Sequence, residues 1–326
     1  MTTPWTFRSP LADGIERFLA YKRALGRRFD TEEKQLRLFD RFLVQQALTS
    51  FEQITPDLLA QFLAARPRPR PRSYNQLLGV LRRLFDWLVI QEILPRSPLR
   101  ARPRRTTAQR IPYLFDATQA RRLLDLAGRL PDRSCGRLRG PTYRTIFALL
   151  YGLGLRVGEV SRLRYADVDL ARNLLVVRGT KFGKSRLVPF GPRMAALLRH
   201  YLELRQSAAC SPDAPVFSFT RRGGVSPGTI SQTFHKLLPH LGLAVPAGVA
   251  PPCAHGLRHA FAVGTLLRWY REGIDPARRL FHLATFLGHV SPSSTAVYLT
   301  ITSELLHEAN RRFERLAPAS GAESST

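Results

Sequence analysis

Four short motifs in the second half of the chain carry side chains that could act together on a phosphodiester. They are, in chain order, GLGLRVGEVSRL, TKFGKSRLVP, HGLRHA and LGHVSPSSTAVY. They supply an arginine, a lysine, a His-x-x-Arg pair, a second histidine and a tyrosine. Two arginines can neutralise the anionic oxygens of a phosphodiester, and a tyrosine hydroxyl can attack its phosphorus. The order and types therefore suggest phosphoryl-transfer chemistry.

Two of these motifs place a pair of polar residues three positions apart. Arg156 follows a glycine turn and begins a predicted helix, with Glu159 over the same helical face. His255 and Arg258 have the same spacing, so a helix directs both side chains toward one point. Each pair taken alone would be an ordinary solvated or ion-paired feature, and only the full set in a strongly basic chain indicates a site.

The other two motifs add a lysine, a histidine and a tyrosine. TKFGKS offers Lys181 or Lys184 on the turn of a predicted β-hairpin, where counting back from RLVP favours Lys181. His289 ends a Leu-Gly-His turn, and Tyr298 lies nine residues further on. Alone, Tyr298 would be interpreted as an aromatic residue at the edge of a helical core. Its neighbours make it a candidate nucleophile.

The charge of the chain points to a polyanionic partner. Its 326 residues include 50 Lys and Arg against 24 Asp and Glu, for a formal net charge of +26. Such an excess favours nucleic acid as the partner. Three scattered cysteines show no metal spacing and no disulfide framework. No apolar run approaches a membrane span, and no signal peptide is recognised, so we expect a cytoplasmic protein without membrane contact.

The first hundred residues predict four helices on short connections. Asp30 is expected to cap the second helix, and Thr55 the third, with Pro56 at its first position. Two basic, proline-rich stretches follow the third and fourth helices. RPRPRPR, residues 66–72, predicts an extended segment without helix, and residues 94–112 form a linker by composition. We expect the following side chains to contact DNA phosphates: Arg66, Arg68, Arg70, Arg72, Arg102, Arg104 and Arg105.

The remainder of the chain predicts helices interrupted by one β-hairpin. DATQARRLLDLAG is a capped helix and TYRTIFALLYGLGL a buried one, whereas NLLVVRGTKFGKSRLVPF changes to the period of two that is typical of strands. Further helices follow up to residue 317, and the tail at 318–326 predicts disorder.

In their order and spacing, the four motifs resemble those of the tyrosine recombinases, also called the phage integrase family. The resemblance implies a mainly α fold with a small β-hairpin or sheet, in a two-domain, C-shaped clamp. It further implies a helical core-binding domain at 8–94, a basic linker at 95–112 and a mixed α/β catalytic domain of the integrase type at 113–317. Residues carried over as catalytic are Arg156, Lys181, His255, Arg258, His289 and the nucleophile Tyr298, with Glu159 supporting them.

The implied reaction cleaves and rejoins DNA through a 3′-phosphotyrosine without a metal or cofactor. His255 is expected to accept the Tyr298 proton, and Lys181 to protonate the leaving 5′-oxygen. No Asp/Glu cluster or Cys/His set suggests a metal site. Double-stranded DNA is the expected partner, and integration or excision of a mobile element the expected role.

Oligomerisation and three alternative functions stay open at this point. The amphipathic segment 301–317 could dock into a neighbouring protomer and link a homotetramer on two DNA sites, alone or with sister recombinases. Residues 269–279 look like a surface insertion. The alternatives are Xer-like dimer resolution, a type IB topoisomerase, which would relax DNA without exchange between sites, and a catalytically silent DNA-binding accessory protein.

Overall fold

The computed structural model consists of two compact units, Met1–Gln109 and Arg110–Thr326. It describes residues 5–27, 29–106, 110–134, 136–179, 185–205, 211–219, 223–289, 291, 293–300, 307, 308 and 311. Helices dominate both units, and one small sheet lies in the second. None of the described helices is long and apolar enough to cross a membrane.

The first unit contains the four helices that periodicity predicts. Their bounds are α1 Ala12–Ala24, α2 Asp30–Gln45, α3 Pro56–Ala64 and α4 Pro71–Ile90. Aromatic rings join these helices at the centre, with Phe39 of α2 5.0 Å from Phe62 of α3 and 6.1 Å from Phe85 of α4 between centroids. All three rings are fully buried, so they form one hydrophobic core for this unit.

Two predicted helix starts have different outcomes. Thr55 caps α3 as predicted, because its side chain accepts a hydrogen bond from the backbone N–H of Leu58, and Pro56 follows it. The predicted cap Asp30 is wrong. Phe29 occupies the cap position with φ +58, and Asp30 is the first helical residue, where its carboxylate still meets the positive end of the helix dipole.

The basic stretch 66–72 is only partly extended. Residues 67–69 are irregular, as predicted, but Pro71 begins α4 and Arg72 is helical. The alternate prolines were expected to exclude a helix from the whole of 66–72. This expectation is wrong for residues 71 and 72, which are helical. A proline is tolerated at the first helical position because the backbone N–H that it lacks would have no partner there.

The second unit surrounds a central buried helix. Its helices are α5 Ala117–Gly128, α6 Arg139–Gly152, α7 Val157–Ser161, α8 Pro192–Arg205, α9 Pro227–Leu237, α10 Ala254–Arg271, α11 Pro276–Leu287 and α12 Ser293–Ala296. Helix α6 packs against α5, α8 and α10. Ile146, Phe147, Leu149 and Leu150 are fully buried there, which agrees with the predicted buried helix.

A three-stranded antiparallel sheet follows α7. Its strands are β1 Val168–Asp169, β2 Leu174–Val177 and β3 Arg186–Pro189, in the order β1-β2-β3. Leu175 pairs with Val188, and Val177 with Arg186. The predicted hairpin is confirmed by β2 and β3, whereas β1 was not predicted, since two residues are too short to show an alternation.

Helix α11 was also missed by the sequence analysis. Residues 269–279, interpreted as a surface insertion, are the last turn of α10, a short connection and the first turn of α11. The Asp275 side chain accepts a hydrogen bond from the backbone N–H of Ala277 at 3.0 Å, and Pro276 starts the helix. The segment therefore belongs largely to α10 and α11, two helices that also carry groups of the candidate site.

Candidate active site

Arg156 is positioned by a tight turn between α6 and α7. Gly154 has φ +61, and a Cβ at this position would lie 2.5 Å from the ring of Phe261, so the turn requires glycine. Arg156 then occupies the cap position of α7. Its Nη2 donates to the carbonyl of Gly288, beyond the end of α11, at 2.8 Å.

Glu159 is a buried carboxylate that joins two arginines. It accepts hydrogen bonds from the backbone N and Nη1 of Arg156 at 2.9 and 2.7 Å. Arg186 of β3 donates Nη1 and Nη2 to its two oxygens, both at 2.9 Å. Burial would raise the pKa of Glu159, but the hydrogen bonds and charges of both arginines outweigh burial and lower it to about 2. The ionised carboxylate therefore fixes both guanidiniums.

Arg258 is the most deeply buried charged group of the site, with 1% of its surface exposed. Its Nη1 donates to the carbonyl of Gly154 at 2.6 Å, and its Nη2 to that of Leu287 at 2.7 Å. Burial, followed by the charge of Arg156, lowers the pKa of Arg258 to about 9. The guanidinium therefore remains charged at neutral pH.

The end of α11 supplies three consecutive carbonyls to three arginines. The carbonyls of residues 286, 287 and 288 accept hydrogen bonds from Arg186, Arg258 and Arg156, respectively, at 2.8, 2.7 and 2.8 Å. The last carbonyls of a helix lack partners within the helix and carry the negative end of its dipole. Three arginines that are distant in sequence are thereby held at one place.

His289 follows this helix end directly. Gly288 adopts φ +67, which turns the chain, and the Nδ1 atom of His289 then lies 2.6 Å from the hydroxyl of Thr295. Burial, followed by the charge of Arg258, lowers the pKa of His289 to about 4. The ring is therefore neutral at pH 7, and its other nitrogen is the one left for a ligand.

Tyr298 lies in the turn after α12, with 4% of its surface exposed. Its hydroxyl oxygen is 2.7 Å from Nδ1 of His259, and its ring stacks on that of His289 with centroids 6.3 Å apart. Burial raises the pKa of Tyr298, while the charges of Arg258 and Arg156 lower it in part. The net effect keeps the phenol protonated in the free chain.

Three residues of the site were not singled out from the sequence. His259 is part of HGLRHA and lies one helical turn after His255, on the same face of α10. Arg186 is part of TKFGKSRLVP and shares a strand face with the buried Val188, which was the available signal. Thr295, the partner of His289, had no distinguishing signal.

Comparison with known proteins identifies the family. Residues 114–304, more than half of the chain, match the phage integrase family. A Sinorhizobium fredii protein named integrase/recombinase y4rB is 36% identical, over 94% of this chain and 98% of its own length. The chain belongs to the phage integrase family. Membership confirms the resemblance of the motifs and makes the chain a site-specific tyrosine recombinase.

One further relative and one solved structure are also similar to the chain. Tyrosine recombinase XerA of Thermococcus kodakarensis is 32% identical, over 74% of this chain and 75% of its own length. The crystal structure of a lambda integrase tetramer bound to a Holliday junction is similar with a TM-score of 0.62 at 19% identity, covering 88% of this chain and 76% of that chain. The structural likeness confirms the predicted integrase fold, mainly helical with a small sheet.

Several predictions for this family member fall on positions outside the described residues. Lys181 and Lys184 lie within 180–184, and the tail at 318–326 is likewise not described. Of the segment 301–317, predicted to dock into a neighbouring protomer, only residues 307, 308 and 311 are described. The roles of both lysines and of this segment stay predictions.

The described residues contain no group of three or more His, Cys, Asp or Glu that could hold a metal ion. Glu159, the carboxylate of the site, is already engaged with Arg156 and Arg186. Metal independence nevertheless stays a prediction.

The arginines predicted to contact DNA lie in the first unit. Arg66 and Arg68 are half-buried, and the exposed ones are Arg70, Arg72, Arg102, Arg104 and Arg105. Arg104 is held in place. Its backbone N donates to the side chain of Asn75 at 2.7 Å, its Nη1 donates to the carbonyl of Arg68 at 2.8 Å, and its guanidinium lies 4.0 Å from the ring centroid of Tyr74. The basic linker is thus ordered against α4 at this point.

Proposed function

We propose that the chain cleaves one DNA strand at a time by attack of the Tyr298 hydroxyl on a phosphodiester. The phenol oxygen bonds to phosphorus, the 5′-oxygen of the next nucleotide leaves, and the 3′ end remains as a phosphotyrosine ester. Because this ester conserves the energy of the broken bond, an incoming 5′-hydroxyl can reverse the step. The supporting observation is that the end of α11 holds Arg156 and Arg258 on adjacent carbonyls and is followed directly by His289, whose ring stacks on Tyr298.

The two arginines stabilise the transition state in this proposal. Negative charge grows on the non-bridging oxygens as the phosphorus becomes five-coordinate, and preorganised guanidiniums stabilise that charge without reorganising. Within the described residues, Arg156 and Arg258 each use two of the five N–H donors of a guanidinium on protein acceptors. The remaining donors suffice for a phosphate.

Two further groups complete the reaction. His289 donates from Nε2 to a non-bridging oxygen, since Thr295 occupies its Nδ1. Lys181 protonates the leaving 5′-oxygen, a role carried over from the family motif. Neither step requires a metal.

The two units divide the work of DNA binding and chemistry. We infer a core-binding domain at 8–94, a basic linker at 95–112 and a catalytic domain at 113–317. A net charge of +26 and the exposed arginines of the first unit support this assignment. By analogy with the lambda integrase tetramer, we propose a homotetramer on two DNA sites, joined by 301–317.

The proposed biological role is integration and excision of a mobile element in the cytoplasm. The relative that covers 94% of this chain is named an integrase/recombinase, which supports this role. The outcome of recombination, however, is set by the DNA sites. The first experiment should therefore find those sites.

Covalent capture tests the function directly. The purified chain is incubated without metal on sheared DNA of its own replicon and flanking regions, and DNA ends attached to denatured protein are sequenced. Tyr298→Phe is the inactive variant. Tyr21→Phe is the matched control, because Tyr21 is an exposed tyrosine of the first unit that should leave the adduct unchanged.

The expected result is a set of adducts at one or two discrete sites, absent only in Tyr298→Phe. Adducts scattered without sequence preference would favour a topoisomerase. Binding without any adduct would favour an accessory protein and contradict the assignment of Tyr298.

A further inference from the structure

The hydroxyl of Tyr298 has a histidine partner other than the expected one. Its oxygen lies 2.7 Å from Nδ1 of His259, and among the residues that the structure describes this is its only hydrogen bond. With 4% of Tyr298 exposed, the phenol proton has little access to water. A buried donor requires an acceptor, so the O–H donates to Nδ1 and the ring proton of His259 is on Nε2.

The other two histidines of the site are less well placed to take that proton. Within the described residues, no hydrogen bond joins His255 to Tyr298. The Nδ1 of His289 is engaged with Thr295, and its ring stacks on the phenol at 21° instead of pointing an edge at the hydroxyl. Among the three histidines of the site in the described part of the chain, only His259 directs a ring nitrogen at the reacting oxygen.

His255 is the more exposed histidine packed against His259. The two rings pack edge to face, with centroids 4.6 Å apart and an angle of 87°. His255 is exposed, whereas His259 is half-buried. Among the described residues no hydrogen bond joins these two rings, so His255 serves as a neighbouring histidine against which the role of His259 can be tested.

We propose that His259 accepts the Tyr298 proton during strand cleavage and returns it during rejoining. The inference rests on the proposed role of Tyr298 as nucleophile. As the oxygen–phosphorus bond forms, the O–H bond breaks toward Nδ1, and the 5′-oxygen leaves with a proton from the general acid, the role given to Lys181 in the proposed function. Rejoining reverses each transfer, so protons and charges balance over the cycle.

The charges around His259 explain how this base could depend on substrate. Burial, followed by His255, Arg258 and His289, lowers the pKa of His259 to about 4 in the free chain. Tyr298 is the other titratable group in contact with it. A phosphodiester bound to Arg258 would offset the positive charge of this arginine and would therefore raise the pKa of His259. In the absence of bound DNA, the low pKa of His259 would leave the Tyr298 phenol protonated and unreactive.

The test measures single-turnover cleavage of a nicked duplex that carries the site found by covalent capture. His259→Asn keeps a polar acceptor without a basic nitrogen, and His259→Ala leaves space for added imidazole. We expect both to bind the duplex normally and to form the adduct at least about 100-fold more slowly, the usual contribution of a general base. Imidazoles should restore His259→Ala in order of their basicity, and should not restore the control His255→Ala.

Two results would overturn the inference while leaving the function intact. One is adduct formation by His259→Ala within about threefold of the unsubstituted chain, well short of a general-base contribution. The other is rescue of His255→Ala in place of His259→Ala, which would make His255 the acceptor. If the unsubstituted chain forms no adduct, the proposed function and this inference both fail.

A second measurement needs no variant and no DNA. Nitrogen-15 NMR of labelled histidines at pH 7 should show His259 as the neutral tautomer protonated on Nε2, because the phenol donates to Nδ1. A ring protonated on Nδ1 would contradict the hydrogen bond on which the proposal depends.

Discussion

Replacing Glu159 with glutamine tests whether the buried carboxylate organises the arginines. The amide keeps the shape of the side chain but removes its charge, and its NH2 group would face an N–H donor of Arg156 or Arg186. Glu159 and Arg186 have side-chain exposures of 2% and 9%, so water cannot replace the lost contact. We expect a less stable second unit and a displaced Arg156.

Two independent arguments give the size of the stability loss expected for Glu159→Gln. The pKa of Glu159 falls from 4.5 to about 2, and at about 1.4 kcal/mol per unit this corresponds to about 3–4 kcal/mol of stability at neutral pH. Removing one partner of a buried ion pair costs about 3–5 kcal/mol in other proteins. We therefore expect Glu159→Gln to lower the free energy of unfolding by about 3 kcal/mol.

The assay is urea unfolding at pH 7, followed by the fluorescence of Trp269. Trp5 and Trp87 belong to the first unit, and phenylalanine at both positions leaves Trp269 as the reporter of the second unit. Asp213→Asn is the matched control, since Asp213 accepts a 2.8 Å hydrogen bond from Arg164 but both side chains are exposed. The control should change stability by less than about 1 kcal/mol.

The pH dependence of the free energy of unfolding provides a second test of the role of Glu159. Because the folded pKa of Glu159 lies below its unfolded value, its contribution is fully present above pH 4.5 and is lost as the pH falls through about 2. The stability difference between the unsubstituted chain and Glu159→Gln should therefore shrink on acidification. A difference at pH 7 no larger than that of the control would refute the reasoning.

Three further substitutions test the site and the DNA surface. Thr295→Val removes the hydroxyl beside Nδ1 of His289, so adduct formation should slow by about tenfold or more at unchanged DNA affinity, and Thr295→Ser should restore it. Gly288→Ala places a Cβ 2.7 Å from Nη1 of Arg186 at φ +67, and should cost about 1–3 kcal/mol in the same urea assay. Arg102→Gln should weaken binding to all DNA sequences alike and reduce the salt slope by about one, as measured by titration at several salt concentrations.

Periodicity predicted most of the fold because each long helix has one apolar face. The signal was also present for α11, where Leu280, Leu283, Ala284 and Leu287 follow the i, i+3, i+4, i+7 pattern and Gly288 provides a stop. That helix was missed because residues 269–279 were interpreted as an insertion. Strand β1 could not be predicted, since its two residues depend on pairing with β2.

The site was harder to predict than the fold. Sequence motifs nominated Arg156, Arg258 and Tyr298 by type and order, but they could not reveal which groups those side chains contact. The hydrogen bond between His259 and Tyr298 joins residues 39 positions apart and exists only once α10 and the turn after α12 pack together. Partners at such separation are set by tertiary structure, which no local pattern encodes.

The end of α11 explains why the arginines act as a unit. Its carbonyls at 286–288 belong to one helix end, so a displacement of α11 would move the acceptors of Arg186, Arg258 and Arg156 together. The same turn directs His289, because the left-handed Gly288 immediately precedes it. The helix therefore sets the geometry of the site with backbone atoms. A search for reactive side chains does not detect such a contribution, and this is why α11 was absent from the sequence-based description of the site.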